Sequence, residues 1–265
     1  MRKNQAMDAV RYIDEYASPR QLRRLEKKAQ RQLNGDKQIA DEIYNKSRRT
    51  NFNLCPKTQS QAELIEGMAT KTQVVAFGPA GTGKTFVIAA YAAKLYLSGA
   101  IKKIIITRPN VSTGISLGLF PGSLEEKMMV WVGPVVSVLK EVMGTEIFEA
   151  ALRKENIVLQ PIETIRGCSF DGAFVIVDEA QNINVDEIKA IVTRIGENTT
   201  LVLNGDIAQK DIKGDCGLAF VVDSIERNET LSEMSYIVEF DSDDIVRSAL
   251  VKAWIKEFER HDNLL

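Results

Sequence analysis

A chain of 265 residues with 45% hydrophobic and 26% charged side chains, and a formal net charge of −2, has the composition of a globular protein with a full core. Three cysteines at long spacings (Cys55, Cys168, Cys216) and a single histidine, His261, argue against a disulfide framework, a cysteine zinc site and a Ser-His-Asp triad. The longest uncharged run without many breakers, 128–139, is shorter than a membrane span and holds Gly133 and Pro134. No apolar stretch follows the basic N-terminus, so neither a membrane nor a secretory signal is expected and the cytoplasm is the expected location.

Charge divides the chain. Residues 1–50 carry 13 Lys and Arg against 7 Asp and Glu, and the remaining 215 carry 21 against 29. The first segment reads as a basic helical arm: Ser18 is an N-cap, Pro19 occupies the first helical position, and Leu22, Leu25, Ala29 and Leu33 keep helical spacing. A basic arm on an acidic body attracts polyanions, although a solvated helix face has the same composition.

Residues 51–265 read as one domain in which strands and helices alternate. The strands predicted are 73–77, 103–107, 157–160, 173–177, 200–204 and about 235–240. The helices are about 84–97, 185–195, 216–227 and 243–259. Asn184 and Glu187 form a capping box for the second of these. In the last, Ile245, Val246, Ala249, Leu250, Ala253 and Trp254 form the apolar side. Residues 108–124 read as loop and 125–154 as helix in part, broken at Gly133-Pro134, so 108–154 forms a loop-helix insertion. Short apolar strands without alternation, interleaved with helices, indicate an α/β fold whose mostly parallel sheet is covered on both faces.

Gly78-Pro79-Ala80-Gly81-Thr82-Gly83-Lys84-Thr85 fits GxxxxGK[ST] between a strand and a helix, the setting of a phosphate-binding loop. Its glycines let backbone amides wrap phosphates, Lys84 is placed to bridge the β- and γ-phosphates, and Thr85 to ligate Mg²⁺. The strand 173–177 ends in Asp178 and Glu179. At a strand end these are a Mg²⁺ ligand acting through water and a base that polarises the attacking water, a pairing that favours hydrolysis over transfer to a small acceptor. Asn204-Gly205-Asp206, followed by Gln209, ends the next strand as a polar cluster able to face a γ-phosphate. Arg108 ends strand 103–107 as a candidate phosphate contact. Gln61, upstream of the first strand, is a candidate for reading an adenine edge, although a single glutamine is more often just exposed.

The strings GPAGTGKT, TRPNVSTGISLGLFPGSLEEK, IRGCSFDGAFVIVDEAQN, TRIG and NGDIAQ, in this order, resemble the PhoH family of P-loop ATPases from about Lys57 to the C-terminal helix. The resemblance implies a RecA-type core related to superfamily 1 helicases, with RNA-linked roles. It implies ATP and Mg²⁺ at Gly78–Thr85, Asp178 and Glu179, and raises Gln61 as the adenine-side glutamine and Gln209 as a γ-phosphate sensor. Two departures stand out: Gln59-Ser60 precedes the first glutamine where the family has Pro-Asn, and Cys168 follows Arg166-Gly167 where the family tends to a basic residue.

One motor domain lacks the neighbour that normally supplies an arginine to the transition state. A head-to-tail homo-oligomer, with a hexameric ring as its expected form, is therefore anticipated. Arg166 and Arg247, with Arg194 third, are candidates to reach the next subunit's site. The function expected is ATP hydrolysis coupled to unwinding or remodelling of RNA or single-stranded nucleic acid. The alternatives are a slow ATP-dependent switch or scaffold binding a protein, and a ribonuclease using Asp241, Asp243 and Asp244, acids that more simply cap the final helix.

Overall fold

The computed structural model describes residues 52–109, 124–165, 167–212, 214–251, 253, 254 and 257. The basic arm and Arg166 lie outside the described residues. Six strands form one sheet: β1 (Gln73–Phe77), β2 (Lys103–Thr107), β3 (Ile157–Leu159), β4 (Ala173–Val177), β5 (Thr200–Gly205) and β6 (Ser235–Glu239), in the order β3-β2-β4-β5-β1-β6. Every pairing is parallel. All five residues of β4 are buried, as are the middle residues of β1 and β2, which is why these strands read as unbroken apolar runs.

Eight helices accompany the strands among the described residues: α1 (Gln59–Thr70), α2 (Lys84–Ser98), α3 (Leu124–Trp131), α4 (Gly133–Met143), α5 (Thr145–Arg153), α6 (Val185–Val192), α7 (Gly217–Arg227) and α8 (Glu229–Met234). Thr58 caps α1 by accepting the Gln61 N–H, and Asn184 with Glu187 forms the capping box of α6. Ala89, Ala90, Ala92 and Ala93 of α2 are all fully buried, so small side chains let α2 lie close to the sheet and to α4. Phe174, on β4, is fully buried and meets the ring of Tyr91 from α2.

The register brings several loops to one edge. Phe77 pairs with Gly205, Val177 with Leu203, and Thr107 with Val177, so β1, β2, β4 and β5 end together. Strand β5 lies between the strand that leads into Gly78 and the strand that ends at Asp178. Its terminal residues therefore face both.

The six strands lie at the expected positions, with small differences at their ends. The region 125–154 resolves into α3, α4 and α5, broken at Gly133-Pro134 and again at Gly144, whose φ of 87° suits a residue without a Cβ. The final helix differs most. A 3₁₀ turn over Ser242–Asp244 is followed by non-helical residues 245–248, and helix resumes at residue 249. Ile245 and Val246 therefore leave the helical face assigned to them and pack on the loop after β1, while Leu250 is 69% exposed. Asp241 and Asp244 cap the short turn and not the final helix, because Asp241 accepts the N–H groups of Asp243 and Asp244. Among the described residues no helix is long and apolar enough to cross a membrane.

Candidate nucleotide site at the sheet edge

Gly78, Gly81 and Gly83 have φ values of 132°, 86° and 85°, so the loop after β1 runs through backbone conformations that favour glycine. A cavity of about 330 Å³ opens above it, within the range of small-molecule sites. Its lining brings together Lys84, Thr85, Asp178, Glu179, Asn204 and Gln209, residues far apart in the sequence. Lys84 donates to the carbonyls of Gly78 at 2.7 Å and Pro79 at 2.8 Å and to the Thr82 hydroxyl at 3.2 Å. It is 8% exposed, and burial lowers its pKa from 10.5 to about 8, against the pull of Asp206, Glu179 and Asp178.

Asn204 joins the loop to the acidic strand. Its amide donates to Thr85 Oγ1 at 3.0 Å and to Asp178 Oδ1 at 2.7 Å. Its own Oδ1 is buried and has no hydrogen-bond partner among the described residues. Burial pushes the Asp178 carboxyl up, while Arg108, 3.7 Å away, holds it down. A hydroxyl and a carboxylate tied to one amide fit a hard divalent cation such as Mg²⁺, which takes oxygen ligands and retains waters.

Glu179 has both carboxylate oxygens engaged. Oε1 lies 3.3 Å from the Arg108 guanidinium, and Oε2 accepts from Gln181 Nε2 at 2.7 Å. Its φ of 54° is unusual for a non-glycine residue and turns the chain directly after Asp178. Arg108 also donates to the Trp131 carbonyl at 2.9 Å, so this arginine is spent on the acid pair and on α3.

The sequence does not single out Gln181. It is 3% exposed, and its Oε1 accepts the Asp206 N–H at 3.0 Å, tying the turn after β4 to the turn after β5. The string DEAQN places it two residues past Glu179, but nothing in that spacing specifies a partner on another strand. Burial raises the Asp206 carboxyl, and of the nearby acids Asp206 pulls most strongly on Lys84.

Gln61 lies beneath the loop. Its Nε2 donates to the Thr82 carbonyl at 2.8 Å and its Oε1 accepts the Lys57 N–H at 2.8 Å, so both ends of the amide are engaged with the protein. Arg247 lines the cavity of its own chain, beside Gly81. Arg194, at the end of α6, is not among the cavity's lining residues. The carboxylates of Asp241 and Asp244 are used in capping, and among the described residues no group of three or more His, Cys, Asp or Glu is arranged to hold a metal ion.

The chain is similar to known proteins. The family model described as PhoH-like protein matches residues 53–259. A PhoH-like protein of Bacillus subtilis (strain 168) is 36% identical over 208 residues, covering 78% of this chain and 64% of the relative. Protein PhoH of Escherichia coli (strain K12) is 38% identical over 201 residues, covering 74% of this chain and 56% of the relative. The chain thus spans about three-fifths of these relatives' length. Among solved structures, the large terminase of a thermophilic bacteriophage aligns with a TM-score of 0.50 at 12% identity, over 76% of this chain and 50% of the terminase, a likeness of fold alone. With a glycine loop, an acid-tipped strand and a bridging strand between them folded from the matched residues, the chain belongs to the PhoH-like protein family.

Proposed function

We propose that this domain binds ATP with Mg²⁺ and hydrolyses it. The observation that carries the reading is the Asn204 bridge, which holds Thr85 and Asp178 in one cluster beside Lys84. Backbone amides of Gly78–Thr85 cradle the phosphates, and Lys84 leaves the Gly78 and Pro79 carbonyls to meet the β- and γ-phosphates. Bound through Thr85 and, by way of water, Asp178, Mg²⁺ would neutralise charge on the phosphate oxygens. Glu179 accepts a proton from the attacking water; the bond from the γ-phosphorus to the bridging oxygen breaks, and Gln209 on the cavity wall senses the departing phosphate.

The coupling we propose is to RNA or single-stranded nucleic acid, through the basic arm and an assembly of several copies of the chain, with a hexameric ring as the expected form. Charge asymmetry along the chain and family membership support it. A second reading, a slow switch, is favoured by one observation: both oxygens of Glu179 already have partners in Arg108 and Gln181.

The deciding experiment measures ATP hydrolysis with and without RNA in the wild type, Lys84→Ala, Glu179→Gln and a chain lacking residues 1–50. Stimulation by RNA that disappears with the arm supports the coupled motor. A slow rate indifferent to RNA supports the switch, and hydrolysis that survives both point variants sinks the site.

A further inference from the structure

The segment that follows β6 is built onto the phosphate loop. Phe240 N–H donates to the Phe77 carbonyl at 2.8 Å, and Val246 N–H donates to the Gly81 carbonyl at 3.0 Å. Between them, Asp244 is buried and accepts the Ser60 hydroxyl of α1 at 2.7 Å. Two backbone bonds and a buried carboxylate thus fix the residue after Val246 relative to the loop.

That residue is Arg247. A Cβ added to Gly81 would lie 3.1 Å from Arg247 Cγ and 3.5 Å from Arg247 Nε, so the arginine stem lies along the face of the loop left open by glycine. Its exposed side chain lines the same cavity as Lys84, Thr85 and Glu179. Among the described residues no carboxylate lies within 4.0 Å of its guanidinium, whereas the Arg108 guanidinium is committed to Asp178 and Glu179. A planar fork of donors without an acid partner among the described residues, held beside an anion cradle, has the chemistry of a phosphate ligand.

We infer that Arg247 supplies its own chain's site with the arginine that stabilises the transferring phosphoryl group, so that hydrolysis does not await an arginine from a neighbouring copy. The inference rests on the ATP-hydrolysing reading of the site and names a residue and a direction that reading leaves open. Any assembly then serves the grip on nucleic acid and not completion of the catalytic centre. Arg247 acts on the charge that grows as the phosphoryl bond breaks, so its loss falls on kcat more than on nucleotide affinity.

The test compares wild type, Arg247→Ala and Arg247→Lys for binding of a fluorescent ATP analogue, for kcat, and for activity in mixtures with Glu179→Gln. Expected are a kcat lower by about a thousandfold in Arg247→Ala with affinity changed by less than about threefold, and partial recovery in Arg247→Lys. The mixture of Arg247→Ala with Glu179→Gln stays inactive, because no single chain in it holds both groups. Recovery of activity in that mixture overturns the inference, since it places the arginine in a neighbour's site. So does an Arg247→Ala variant with full kcat, or one that loses only affinity. If the wild type binds no nucleotide, the ATP reading falls and this inference with it; if the wild type binds and turns over while Arg247→Ala does the same, this inference falls alone.

Discussion

Asn204 donates to Asp178 at 2.7 Å from the end of the neighbouring strand, and the same amide reaches Thr85 at 3.0 Å. A residue that touches both candidate oxygen ligands orients them before any ion arrives. Groups in this position typically alter metal affinity about 10- to 100-fold when removed. Asn204→Ala is expected to raise the Mg²⁺ concentration for half-maximal hydrolysis by a factor in that range while leaving metal-free ADP binding close to wild type. Magnesium titration at saturating ATP measures the first, and ADP titration in chelator the second.

Gln181 holds Glu179 through one end of its amide and the Asp206 N–H through the other. Gln181→Leu leaves that N–H unpaired and lets the Glu179 carboxylate swing. The expected result is a fall in kcat of about 10- to 100-fold, with nucleotide affinity little changed. Gly205→Ala reaches the same residue from the other side, because its Cβ would lie 2.5 Å from Gln181 Oε1 and 2.9 Å from the Gln181 backbone N. Steady-state kinetics beside equilibrium binding separates the two quantities in both variants.

Gln61 offers a sharper contrast. If it reads adenine, its loss weakens ATP and spares GTP. Its observed bonds to Thr82 and Lys57 make it a strut of the loop, whose loss weakens every nucleotide alike. Gln61→Leu is therefore expected to weaken ATP and GTP binding by the same factor, about tenfold for a buried amide bond lost. Paired titrations with the two nucleotides check the ratio.

Burial lowers the Lys84 pKa to about 8, so the ammonium we propose as a phosphate contact is lost in the nucleotide-free protein as pH rises through that value. A bound polyanion restores the charge, so binding takes up a proton above about pH 8. Nucleotide affinity is expected to be flat below that pH and to fall toward about tenfold per pH unit above it. The sign for folding is the reverse: between the folded pKa and the unfolded value near 10.5 the unfolded chain binds more protons, so this group adds stability as pH rises. Isothermal titration of ADP from about pH 7 to about pH 9.5, with Lys84→Ala lacking the alkaline limb, checks the sign.

Phe174 is fully buried on β4, four residues before Asp178, and packs on Tyr91. Phe174→Ala is expected to destabilise the domain by about 3–5 kcal/mol through lost burial and a residual cavity. Urea unfolding of the nucleotide-free protein gives the value. Addition of nucleotide recovers part of it if the site still forms, since binding stabilises only the folded state.

The sequence by itself determined the parts whose chemistry is local. Eight consecutive residues, Gly78 to Thr85, encode the cradle, because a glycine loop between a strand and a helix needs no distant partner to take its shape. Asp178 and Glu179 declared themselves by ending an apolar strand, and Asn184 with Glu187 by their spacing at a helix start. What only the tertiary structure decided is who meets whom at the sheet edge. That β5 lies between β1 and β4, giving Asn204 its two partners, follows from strand order, which no local spacing carries. The same holds for Gln61 beneath Thr82, for Arg108 across the acid pair, and for Arg247 beside Gly81, a contact between distant parts of the chain. The 245–248 stretch shows the physical reason most plainly: its apolar residues suit a helix, yet the backbone bond from Val246 to Gly81 and the packing of Ile245 and Val246 on the loop outweigh a preference worth only tenths of a kcal/mol per residue, at most about 0.7.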